Sequence, residues 1–179
     1  MSISAVMIDM RNRTLSFCVD GKSQGIAFRN LPTGIPLSAA VSLYKRGDKV
    51  QIASAFVDAN VAASTRSTPH WQKAASGVKI DGARITKLQR SWDNGTAIVK
   101  GGVTISSKAR LKCSFRILHG TQITLGVCTS SFNVRRDGYV NKTACGWGYY
   151  QGDGKIGHNC SANKGYGKVF AAGDIVEGE

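Results

Sequence analysis

Apolar residues recur at every second position near the start of the chain. In Ala5–Leu31, AVMIDMRNRTLSFCVDGKSQGIAFRNL, Val6, Ile8 and Met10 alternate with Met7 and Asp9, and Leu15, Phe17 and Val19 with Ser16, Cys18 and Asp20. A period of two marks strands with one buried face. Arg11-Asn12-Arg13 is a polar break of turn length, and Asp20-Gly21 divides the second run from a third, Gly25–Phe28. An Asp-Gly pair between alternating runs predicts a hairpin, because a type I′ turn needs positive φ at both central positions. The stretch therefore predicts an antiparallel meander.

Strand patterns continue. Pro32–Pro36 is a turn, and Leu37–Leu43 and Lys49–Phe56 are strands separated by Tyr44-Lys45-Arg46-Gly47-Asp48. Val57–Gly77 loses the alternation and reads as a connecting segment, with Asp58–Ala63 and Trp71–Ala75 each able to form a helical turn and Asp58 as an N-cap. Strands resume at Val78–Ile80, Arg84–Leu88 and Thr96–Val99. Ala109–Leu118 is longer, with Leu111, Cys113, Phe115 and Ile117 on one face; Ile123, Leu125 and Val127 alternate again, and Gly146–Tyr150 and Lys168–Phe170 follow. No stretch carries a helical period of useful length. Many short strands with regular turn signals predict an all-β sandwich or barrel.

The wording of these strands resembles a known family. V-x-x-D-x-x-x-x-T-L-S-F-x-V-x-G-x-x-x-G-x-A-F-x-N-L-P, spanning Val6–Pro32, and IPLSAAVSLYKRGDKVQI are similar to the second half of a SPRY (B30.2-like) domain. ARLKCSFRI resembles the family's Y-W-E-V-E-I strand, with Lys112, Ser114 and Arg116 replacing its Trp-Glu-Glu pattern. ITLGVCTSSF resembles its G-V-A strand, CGWGYYQGDGKIGHN its S-W-G-Y segment, and GKVFAAGDIV its F-x-x-G-D-V-I element. In the family these four come first. Here residues 1–56 match the usual C-terminal part, 57–77 connect, and 78–179 match the usual N-terminal part, so the order is circularly permuted within a single domain, 1–179. The resemblance implies a bent sandwich of two antiparallel sheets, concanavalin-like, that binds other proteins. It implies no reaction and no cofactor. It further implies that Gly173–Val176 meets Ala5–Met10 in space, in a monomer; a swapped dimer is the alternative.

The resemblance also suggests a site. In SPRY domains of the SOCS-box type, a Tyr at the place of Tyr139 helps form a peptide pocket, and the other wall comes from the turn matching Ser42–Arg46. The partner-binding candidates are Tyr139, Arg135, Arg136, Tyr44, Lys45 and Arg46. An exposed Tyr beside Arg is a good anchor, with the basic residues selecting an acidic partner. A loop Tyr folded onto its own surface is the alternative.

Charge adds a competing reading. The chain has 179 residues and a formal net charge of +13, and residues 66–116 hold eleven of the 24 Lys and Arg against only Asp81 and Asp93. Such a balance suits nucleic acid, although a solvated face gives the same composition. The five Cys are odd in number and most lie in strand-like runs, which predicts free thiols in a cytoplasmic or nuclear protein. No apolar run approaches a membrane span, and MSISAVMIDMR does not read as a signal peptide.

Other motifs are weaker. Gly152–Gly157 fits G-x-G-x-x-G, but His158-Asn159 follow rather than a helix, so it reads as a hairpin loop. Cys145, His158 and Cys160 lack the paired knuckles of structural zinc. No Ser or Cys lies in a nucleophile elbow. Trp147 reads as a core residue. An enzyme is the third reading.

Overall fold

Val6 and Ile8 are buried while Met7 and Asp9 stay half-exposed, as a period of two requires, in a computed structural model that describes residues 3–57, 69–90, 95–100, 110–160 and 164–172. Strands β1 (Ile3–Asp9), β2 (Thr14–Val19) and β3 (Lys22–Phe28) form the predicted antiparallel meander. Asp20 and Gly21 have φ of 51° and 71°, so the intervening turn has the double left-handed backbone that Asp-Gly tolerates. The remaining strands are β4 (Leu37–Leu43), β5 (Lys49–Val57), β6 (Trp71–Ala74), β7 (Val78–Asp81), β8 (Arg84–Lys87), β9 (Thr96–Val99), β10 (Arg110–His119), β11 (Ile123–Thr129), β12 (Gly146–Tyr150), β13 (Lys155–His158) and β14 (Lys164–Gly165).

They build two seven-stranded antiparallel sheets. The first has the order β3-β2-β1-β10-β5-β8-β7, the second β14-β13-β12-β11-β4-β9-β6. This is the expected all-β sandwich. The core lies between the inner faces, where Val6, Phe17, Val50, Ile85 and Phe115 of the first sheet share one cluster with Val41, Leu125, Val127 and Tyr149 of the second. Phe17 and Tyr149 have ring centroids 5.1 Å apart, and Trp71 stacks across the layers on Phe115 at 6.0 Å. Trp147 is buried, as read. No helix among the described residues is long and apolar enough to cross a membrane.

Some local expectations change. Trp71–Ala74 is an edge strand, not a helical turn: pairing with β9 and burial of the Trp71 indole, whose Nε1–H donates to Ala83 O at 2.9 Å, override alanine's helical preference. Asp58–Ala63 lies outside the described residues. Lys168–Phe170 is irregular; the Tyr149 hydroxyl donates to Lys168 O, and Phe170 packs on Tyr149 at 5.2 Å. The expected contact of Gly173–Val176 with β1 falls outside the described residues. Of Gly152–Gly157, only Gly152–Gly154 belongs to the hairpin turn between β12 and β13, and Lys155–Gly157 are already part of β13; a Cβ on Gly154 would collide with Gly167 O.

Candidate functional site

The outward face of the second sheet is made of small side chains. Strand register places Ala40 between Ile98 and Gly126, and Gly126 opposite Gly148. One row along lie Thr96, Ser42 and Thr124; one row the other way lie Ser38, Cys128 and Gly146. The inward positions between them, Val41, Leu125 and Val127, are large and apolar. So β4 and β11 are buried on both faces, but the outer cover must come from elsewhere.

The connection between β11 and β12, residues 130–145, supplies it. Phe132, Val134 and Val140 pack on Ala40, Ile98, Cys128 and Ala75 in a second apolar cluster separate from the core. The chain lies so close to the shelf that a Cβ on Gly146 would sit 1.8 Å from Val140 O.

A directed chain of buried hydrogen bonds holds this loop at Tyr139. The Thr96 hydroxyl donates to Gly138 O at 2.5 Å. Its one proton is then used, so the 2.8 Å contact between Ser42 Oγ and Thr96 Oγ1 has Ser42 as donor. Ser42 Oγ in turn accepts from Val140 N–H at 3.1 Å. The peptide groups on either side of Tyr139 are thus bound to two strand hydroxyls. Tyr139 itself stacks on Tyr44, with centroids 3.8 Å apart and planes within 12°. The Tyr44 hydroxyl meets Thr124 Oγ1 at 3.0 Å, Tyr150 packs edge-on to Tyr44 at 5.4 Å, and Lys142 Nζ lies 4.9 Å from the Tyr139 centroid.

Burial corrects the expectation of exposed tyrosine anchors. Tyr139 is 1% exposed and Tyr44 9%. A large apolar ring beside a shelf of Ser, Thr and Gly gains more by covering that shelf than by facing water. The two tyrosines form the floor that joins two turns. Asp48 Oδ2 accepts from Tyr44 N–H at 3.0 Å and Lys45 N–H at 2.7 Å, closing one turn with Lys45 and Arg46 exposed. Burial, ahead of the opposing amide bonds and the His119 and Lys45 charges, raises the Asp48 pKa above its ordinary 3.8. The other turn is held by Asp137 Oδ2 accepting from Asn133 N–H at 2.8 Å and Asn133 Oδ1 accepting from Arg135 N–H at 3.0 Å. It exposes Arg135 and Arg136, the latter beside Asp137 at 3.5 Å. All six predicted residues therefore belong to one loop-and-turn assembly, with the tyrosines inside and the cations outside. The roles of Ser42 and Thr96 were missed; the signal for Ser42 was the run of small residues at alternate positions of LSAAVSL and of its neighbour ITLGVCT, and Thr96, at the start of TAIV, gave none.

The basic segment does not form one stripe. Lys73 and Lys100 lie beside the second sheet's outer face, with Ser38 and Cys128. Lys79, Arg84, Arg110, Lys112 and Arg116 share the outer face of the first sheet, as their register with Thr86, Gln51 and Met7 shows. His158 stacks flat on Trp147 at 4.5 Å and its Nδ1 meets Gly146 O, while Cys160 Sγ faces Lys142 O at 2.7 Å. No group of three His, Cys, Asp or Glu among the described residues is arranged to hold a metal ion.

Residues 5–55, which span nearly all of β1 to β5, match the family model of the SPRY domain. No curated protein and no solved structure matches the chain.

Proposed function

We propose, from the SPRY domain that residues 5–55 carry, that this chain is a protein-interaction module whose docking surface is the loop 130–145 together with the turn 44–48. SPRY domains form a family of non-enzymatic protein-interaction modules, which supports a general protein-binding role. The observation that carries the site is the hydrogen-bond chain from Val140 through Ser42 and Thr96 to Gly138. It holds a loop in one shape before any partner arrives, and preformed surfaces lose less entropy on binding. The exposed Lys45, Arg46, Arg135 and Arg136 favour an acidic partner. The interleaving of strands from both halves of the chain supports a circularly permuted SPRY order in a closed monomer.

Selection from a displayed random-peptide library tests the site. Peptides enriched on the wild type should be rich in Asp and Glu. They should lose roughly tenfold or more in affinity on a variant carrying Lys45→Glu, Arg46→Glu, Arg135→Glu and Arg136→Glu. Equal binding to both proteins would refute the assignment.

One observation favours a second reading. Lys49, Lys79, Arg84, Lys112 and Arg116 converge on the outer face of the first sheet, away from the loop site. A nucleic acid bound there would show affinity falling steeply with salt.

A further inference from the structure

Among the described residues, the outer face of the second sheet is not fully covered. Two adjoining hollows, of about 290 and 570 Å³, run between edge strand β6 and the start of the covering loop. They share Lys73, Ser130 and Phe132. Lys100 stands at one end and Arg135 at the other. Lys73, Lys100 and Arg135 are all exposed, and none of the lining residues is acidic.

Along this groove β6 is a sheet edge. It pairs with β9 and, among the described strands, with no other. Such an edge offers backbone N–H and C=O groups in a row. Gln72 and Lys73, both exposed, are the β6 residues that line the first hollow, and Lys73 and Ala74 those that line the second. The apolar floor is narrow: Phe132 and Ile98 are buried beneath the rim.

From the geometry we infer that this groove takes an extended acidic peptide, which adds to the second sheet as a strand beside β6. The backbone would pair with the β6 edge. Side chains alternate across a strand, so one set of carboxylates would point to Lys73, Lys100 and Arg135 while the other set faces solvent. The edge, unpaired among the described strands, selects an extended backbone, and three cations in a lining that has no acid among the described residues select its charge. This rests on the protein-interaction reading, shares Arg135 with it, and adds the conformation and chemistry of the partner.

The probe is a fluorescein-labelled synthetic peptide of about eight residues, a usual strand length, alternating Glu and Thr. Three comparisons decide the matter. Lys73→Glu with Lys100→Glu, both exposed and so compatible with folding, should weaken anisotropy-measured binding by roughly tenfold or more. N-methylation of alternate peptide amides should weaken it as much, because the ladder donors are gone. Amide hydrogen exchange at Gln72–Ala74 should slow on adding the peptide. Binding that is lost with Lys45→Glu and Arg46→Glu, yet unaffected by Lys73→Glu with Lys100→Glu or by N-methylation, would overturn the groove and leave the interaction module standing. Absence of binding to wild type would overturn the groove, and the library selection separately decides the broader reading. Equal affinity for an oligothymidine of the same charge would overturn the peptide as occupant.

Discussion

Tyr139 shows how one side chain can shape a surface loop from inside the protein. It is buried against Tyr44, and its neighbours in the chain are bound by Ser42 and Thr96. Truncating a buried aromatic removes both transfer energy and packing, so Tyr139→Ala should cost about 3–5 kcal/mol in chemical denaturation. Tyr139→Phe keeps the stack and should cost no more than about 1 kcal/mol; equal losses would disprove the stacking role. Ser42→Ala leaves the Val140 N–H buried without its acceptor and should cost about 1–3 kcal/mol. Asp48 gives a pH test. Its folded pKa is raised above the unfolded 3.8, chiefly by burial, so the folded state binds the proton more tightly. Its contribution is most favourable below 3.8 and is lost as pH rises through the folded value. Asp48→Asn lacks that dependence. The stability difference between wild type and Asp48→Asn should therefore shift toward wild type on acidification through that window; a constant difference would contradict it. Thiol reactivity divides along burial. Cys18 and Cys113 are buried, burial raises their pKa, and Cys128 is pushed up to about 12, whereas Cys160 is exposed. Cys160 should react first with a thiol reagent in the native protein, and all five Cys only after unfolding without reductant.

At the scale of elements, the loop 130–145 and its shelf act as one unit. Gly126, Gly146 and Gly148 take positions on the outer face where a side chain would meet backbone or the loop. Gly146→Ala would drive a methyl into Val140 O, 1.8 Å away, and something must shift. Overpacking of this kind costs typically 1–3 kcal/mol, roughly. The loop is the part able to yield, so hydrogen exchange should rise at Gly138–Val140 before it rises in β11. A uniform rise across the second sheet would show instead that the shelf and core fail together. The Trp71–Ala74 strand belongs to the same scale. Its Ala74 and the following Ala75 suit a helix, but its place beside β9 was decided by residues far along the chain.

For the whole molecule, the two halves of the sequence interleave. β10 lies between β1 and β5, and β4 lies between β11 and β9. Neither the part before residue 57 nor the part after residue 69 contains a complete sheet. Residues 1–57 made alone should be unfolded by circular dichroism, and mixing with residues 69–179 should restore the β spectrum. An independently folded fragment would contradict the interleaving. The same interlocking predicts one cooperative thermal transition. Static light scattering should give a mass near 19.1 kDa for a closed monomer, whereas twice that mass would indicate exchange of residues 1–57 between copies.

The strands and their grouping into an all-β sandwich were legible because local chemistry decides them. The period of two in Val6–Met10, the Asp20-Gly21 turn and the alternation of Leu111 to Ile117 act within a few residues. That the loop carrying Tyr139 and the turn carrying Tyr44 belong together was suggested by their resemblance to a known family, and the stacking of the two rings joins them. What only the tertiary structure decided involves partners distant in sequence. Ser42 and Thr96 look like ordinary strand residues until register sets them 2.8 Å apart, 54 positions from each other. Tyr139 looks like a surface anchor until a shelf of small side chains from β4, β9 and β11 gives it somewhere to be buried. Lys73 and Lys100 lie in one basic stretch with Lys79 and Arg84, but strand order sends one pair to each side of the sandwich. Burial and charge convergence are properties of pairing across sheets, and alternation along one strand carries no record of which strand will lie beside it.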